Sequence, residues 1–478
     1  MAREYLTGER IILAAVGLLL AAPFLVFRDI PLYDLPSHIA RQYILFGGGA
    51  PGASQYYGVD WRLLPNLALD GWVGALHAMF GVDLAVRLFL AVSVLLLFGG
   101  ALALNHVLFP RQQHCMRVAL AAALFAYNGP LLFGFVNLSF GIGLALCGFA
   151  AWLRWRERVW ALPAFATLAS LILLAHLFAC AVYALMVLAY ATNDARRGWR
   201  ALRPTLLPLC HLALPAAIYL FLMPREAIEG SFRYAPVMQK LAALVSAIGF
   251  YNPCFDLICL VAVLALLVLG LPRLRLARDM TAVLVALGLA FILLPHQLGE
   301  GSFVDYRMPS VFTLVLAGSL SWREPAAPRR HVAEALILGL FLVRWIVLVT
   351  QWGIWQADFA EYRAAFALLP QGAKLLPLEA DPNSVDFAAH PPLAHIASLA
   401  VSLRGALIPS LFADAAGHQL LFYREPYRRL FNLTPTKTDA PVYDYVLLVR
   451  PGEMSADQIP AYLPILRGRT FILGRLDN

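Results

Sequence analysis

Residues 28–45 read RDIPLYDLPSHIARQYIL and follow directly on the apolar stretch 11–27. If 34–46 is a helix, Asp34, His38 and Arg41 stand at i, i+4 and i+7 on one face. Leu35, Ile39, Tyr43 and Phe46 then form an apolar face, as in a helix lying in the membrane interface. A carboxylate in such a set can take a proton from an attacking hydroxyl. A guanidinium pairs with phosphate oxygens in a planar fork. The three together suit a reaction on a lipid-linked phosphate, with Asp34 as catalytic base and His38 and Arg41 touching substrate. Two plainer readings stand beside this one. Asp-Leu-Pro is also how a helix begins, with Asp34 capping orphan N–H groups and Pro36 in the first turn. His38 also reads as a surface histidine.

The elements that must position these residues are set by composition. The 478 residues are 61% hydrophobic and 14% charged, with a mean hydropathy of +0.70. Soluble domains carry about 25% charged residues, so this is a polytopic membrane protein. A membrane helix needs about 20 apolar residues. Spans are predicted near 11–27, 84–108, 117–133, 138–153, 159–175, 178–192, 204–223, 255–271, 280–295, 308–322 and 333–351. The first is read as an uncleaved span rather than a signal peptide, since no clear cleavage site follows it. The expected fold is all-α with about eleven transmembrane helices, residues 1–355, including a long first outer loop at 28–83. Residues 356–478 are hydrophilic, with helix-like and strand-like runs punctuated by Pro and Gly, and predict a small α/β domain outside the membrane. The six cysteines are scattered and form neither a zinc motif nor a disulfide framework.

Charge gives the direction. The stretch 159–192 is long for one span and short for two, with His176 at its centre. If it crosses twice and the N-terminus is cytoplasmic, the inner segments hold 17 arginines and the outer loops 8 arginines and lysines. One crossing would put the later loops on the opposite sides and erase that positive-inside bias. The formal net charge of +8 therefore has a topological origin and does not imply nucleic acid. The expected location is the inner (plasma) membrane, multi-pass, with the C-terminal domain extracytoplasmic.

On this topology the outer side collects the chemistry. Asp70 is a second carboxylate candidate in the first loop, and with Asn66 marks a second interfacial helix. His176, His296, Glu300, Asp305 and Arg307 are further substrate-contact candidates. Arg307, at a span entrance, could hold a lipid phosphate, or simply reach to the interface. Asp305 could pair with it. His176 and His296 stand at predicted helix ends, where a histidine can cap carbonyls. Arg344 lies mid-span and must face protein or water. The inner loops offer mainly arginine.

The chain resembles the GT-C glycosyltransferases, which include the protein O-mannosyltransferases and aminoarabinose transferases. The architecture carries this resemblance: a long first outer loop, an acid just after span one, interfacial helices in that loop, and an outer C-terminal domain. The stretches DLPSHIAR and FGFVNLSFGIGLAL are similar to bacterial membrane proteins grouped near these enzymes. DYRMP (305–309) resembles their Arg–aromatic–x–x–Pro signature, although Tyr306 here precedes Arg307. The resemblance implies that Asp34 is the catalytic base or positions the acceptor. It also implies a polyprenyl-phosphate-linked sugar as donor and a glycan, lipid or protein as acceptor. The first loop has no Asp-x-Asp or Glu-x-Asp pair, so no metal ligand and no cofactor are assigned. Two other classes compete with a transferase: a lipid or polysaccharide transporter or flippase, and a non-catalytic envelope-assembly scaffold. Transporters tend to place ionisable groups at the midplane, where this chain has few beyond Arg344.

Overall fold

The structure is a computed structural model. It describes residues 2–47, 51–110, 116–195, 207–223, 232–249, 251–299, 301–322, 327–379, 393, 395–413, 419–432 and 434–477. Helix accounts for 68% of the described residues. In order, the helices are α1 (Ala2–Val26), α2 (Leu35–Phe46), α3 (Ala53–Tyr56), α4 (Ala68–Leu108), α5 (Met116–Ala126), α6 (Gly129–Phe133), α7 (Val136–Trp155) and α8 (Ala161–Ala175). They continue as α9 (Leu177–Ala195), α10 (Ala213–Phe221), α11 (Val237–Ala243), α12 (Pro253–Gly270), α13 (Thr281–Leu293), α14 (Met308–Ser319), α15 (Ala327–Ala367) and α16 (Ser398–Arg404). Each predicted span overlaps a helix. Among the described residues, five helical segments suit a membrane crossing by length and composition, including Ala68–Leu108, Pro253–Arg273 and Val332–Ala367.

Local chemistry explains the breaks. Within α4, Gly81 has φ 71° and ψ 167°, a conformation essentially reserved for glycine, so the helix kinks there. Asn66 does not sit in a helix as predicted. Its φ is 79°, which asparagine tolerates, and α4 starts two residues later. The stretch 159–192 breaks at His176 into α8 and α9, which pack against each other. The imidazole Nδ1 accepts from the Phe178 N–H, so His176 caps the start of α9 rather than the carbonyls that end α8.

The chain divides into two compact units. One comprises residues 1–24, 65–69 and 89–348, and is a helical bundle. The other comprises 25–64, 70–88 and 349–478. Its centre is a four-stranded sheet of β4 (Leu375–Glu379), β6 (Tyr445–Val449), β7 (Tyr462–Arg467) and β8 (Phe471–Leu476), in the order β4-β6-β8-β7. The β4–β6 pair is parallel and the others antiparallel. In this second unit the expected first loop and the expected C-terminal domain share one core. Strand β1 (Tyr57–Val59) pairs antiparallel with β5 (Leu421–Tyr423). Ala40, Ala53, Tyr56 and Tyr57 are buried with Phe359, Tyr362, Ile396 and Leu447. The Tyr57 hydroxyl donates to the Ala406 carbonyl and accepts from the Ile408 N–H, satisfying a buried polar tip.

Candidate functional site

Helix α2 begins at Asp34, whose backbone is helical and whose side chain makes no capping hydrogen bond. The carboxylate is thus not used as a cap. It lies in the second unit with its Oδ1 3.5 Å from the Nε2 of His395. The His395 ring packs edge-on against Tyr33 and Phe412, with centroids 5.5 and 5.1 Å away. Phe412 also packs against His38, at 5.6 Å. Burial pushes the His395 imidazole down to about 4, so it is neutral at physiological pH. Its Nδ1 is buried without a hydrogen-bond partner among the described residues. The Tyr33 hydroxyl is held protonated by burial, with Glu379 and Asp34 adding to the effect. The arrangement is an acid beside a neutral histidine in an aromatic setting. It can accept a proton at Asp34 without first neutralising a cation at His395.

The rest of the polar face of α2 is committed elsewhere. Arg41 is 6% exposed and donates to both oxygens of Asp70, from Nε at 3.0 Å and Nη2 at 2.8 Å. Gln42 donates to the same Asp70 oxygen as the Arg41 Nε, at 2.8 Å, and Arg41 also donates to Gln419. Such a fork neutralises both charges and fixes α2 against the start of α4. Asp29, just after the first span, takes a similar place. Arg363 donates to it from Nε at 2.9 Å, and the Gln356 amide closes on its backbone.

In the bundle unit a second acid–histidine pair forms. His296 Nδ1 is 3.0 Å from Asp305 Oδ1, and Lys240 Nζ is 3.7 Å from Oδ2. Asp305 is fully buried. Arg307 stacks its guanidinium on Phe135 at 4.7 Å and on Phe178 at 5.8 Å, and donates to the Ser302 carbonyl at 3.0 Å. His176 is pushed down to about 3, first by burial and then by Arg307. Arg344, mid-helix in α15, is 2% exposed and donates to the Tyr127 carbonyl at 3.3 Å. Glu334 pairs with Arg117 at 3.4 Å. Glu300 lies outside the described residues. Among the described residues no three His, Cys, Asp or Glu side chains are grouped as a metal would require.

Sequence reasoning brought forward Asp34 and His38 and missed His395, Phe412 and Lys240. No short-range signal marks His395, which stands 361 positions after Asp34. No family model matches the chain, and no curated protein matches it. Among solved structures it is similar to ArnT from Cupriavidus metallidurans in the apo state. The TM-score is 0.56 at 14% identity, over 98% of each chain. The chain has an ArnT-like fold. ArnT is a GT-C glycosyltransferase, so the expected architectural resemblance is met. At this identity the likeness concerns the fold of a multi-pass membrane protein, and the residues must carry any argument about chemistry.

Proposed function

We propose that this chain is a GT-C-type membrane glycosyltransferase. In this reading it moves a sugar from a polyprenyl-phosphate donor to a glycan, lipid or protein acceptor on the outer face of the inner membrane. It crosses the membrane eleven times with its N-terminus cytoplasmic. The observation that carries the reading is Asp34: an acid at the head of an interfacial helix, released from capping and set beside a neutral histidine.

The acceptor hydroxyl attacks the anomeric carbon, the bond from that carbon to the donor phosphate breaks, and its electron pair leaves with the phosphate. Asp34 takes the hydroxyl proton as the new bond forms. Neutral His395 lies beside the carboxylate, and Phe412 packs against both His395 and His38. Arg41 is bound to Asp70, so its role in this scheme is to fix α2.

The test uses the full-length chain in vesicles with a polyprenyl-phosphate sugar and an acceptor. Asp34→Asn should abolish transfer while the protein melts as the parent does. A folded Asp34→Asn protein with full activity would sink the assignment. Sugar flux across the vesicle without transfer would favour a transporter.

A further inference from the structure

We infer that the bundle unit carries a binding slot for one acidic phospholipid, separate from the residues assigned to transfer. A cavity of about 1310 Å³ lies among α5, α12, α14 and α15. Its walls are apolar, with Leu264, Leu267, Phe312 and Leu316 among them. The strands β2 (Leu274–Leu276) and β3 (Leu320–Trp322) form an antiparallel pair at one end of it.

That end is cationic. Arg117, Arg273 and Arg275 line it against the single carboxylate of Glu334. Glu334 pairs with Arg117, which also stacks on Trp322 at 4.9 Å. Arg273 and Arg275 have no ion-pair partner among the described residues, so the described lining carries three guanidinium groups against one carboxylate. The buried Trp322 indole N–H has no acceptor among the described residues. An apolar slot with guanidinium groups at one end matches a phosphate headgroup with acyl chains behind it.

Two observations select a bilayer phospholipid. First, α12 and α15 are the two long apolar helices least covered by protein, with only 17% of each apolar window buried. Their remaining surface is left for lipid, so the slot's walls belong to lipid-facing helices. Second, the cationic end sits beyond Ser319, the last residue of α14, while Arg307 precedes its first residue. Twelve helical residues separate them, about 18 Å along the axis. The charge bias assigns the Arg273 side to the cytoplasm, where acidic headgroups and basic residues attract.

The experiment is native mass spectrometry of the full chain in neutral detergent. Phosphatidylglycerol and phosphatidylcholine of the same acyl chains are added together. One phosphatidylglycerol should be retained at least tenfold more than phosphatidylcholine. The double variant Arg273→Gln, Arg275→Gln should cut that preference about tenfold. Ala121→Phe, which fills the slot, should remove the bound lipid while leaving the arginines in place. If either variant is unfolded, thermal stabilisation of the unaltered chain by phosphatidylglycerol over phosphatidylcholine supplies the deciding readout. Equal retention of the two lipids, or an unchanged preference in both folded variants, overturns the proposal. So does displacement of phosphatidylglycerol by an equimolar polyprenyl phosphate, which would assign the slot to the carrier. Transfer activity is not a readout, so failure here leaves the glycosyltransferase reading untouched.

Discussion

Two acid–histidine pairs, Asp34–His395 and Asp305–His296, are built from the same groups and differ in how fully they are closed. The Asp305 pair is tight, at 3.0 Å, fully buried at the acid, and joined by Lys240. An acid buried this fully and hydrogen-bonded to His296 fixes the loop before α14. The Asp34 pair is looser, at 3.5 Å, with 12% of the acid's side chain and 13% of the histidine's still exposed. Its histidine is neutral. A carboxylate that keeps some access beside a neutral histidine is the one suited to accept a proton. Pair type alone does not distinguish structure from chemistry; the closeness of the pair and the remaining access do.

The largest expected effect tests that contrast directly. Asp34→Asn should lower the turnover of sugar transfer by about 10²–10⁴-fold, the range for a general base, with little change in melting temperature. Asp305→Asn should do the reverse. Removing one side of a buried pair costs about 3–5 kcal/mol, so the melting temperature in detergent should fall sharply. If Asp305→Asn keeps its stability and loses transfer, the roles assigned to the two acids are exchanged.

A pH titration sharpens the contrast further. The folded His395 pKa is depressed to about 4, against 6.5 in the unfolded chain. Between those values the unfolded chain binds the extra proton, so stability rises with pH there. It is constant above about 6.5 and is lost as pH falls toward 4, by at most about 3 kcal/mol. His395→Gln should flatten that part of the melting-temperature profile; an unchanged slope would place the responsible group elsewhere. The smallest effect is expected from Lys240→Met. Its ammonium is 3.7 Å from Asp305 and partly exposed, so its loss should cost about 1 kcal/mol or less. A cost equal to that of Asp305→Asn would show that Lys240, and not His296, holds the acid.

Part of this was legible from residue order. Helix positions followed apolar length, because the hydrocarbon core imposes a minimum run on each span. The break at His176 followed from charge bias, and Asp34 and His38 from helical spacing. Arg41 shows where spacing misleads. It lies on the same predicted face as Asp34, yet Asp70, 29 residues later, takes its Nε and Nη2 donors, and Gln419 takes Nη1.

The sequence by itself determined a multi-pass helical protein with an acid at the head of a helix after the first apolar stretch, because periodicity and span length are local properties of a chain. Only the tertiary structure decided that the carboxylate of Asp34 meets His395 rather than capping its helix. It also decided that β1 in the first loop pairs with β5, with Tyr57 opposite Tyr423, 366 positions later, and that Arg273, Arg275 and Trp322 line one slot. Ion pairs, strand partners and cavity walls join residues far apart in order. Their partners are chosen by burial and unsatisfied hydrogen bonds in the folded core, which leave no repeat in the sequence.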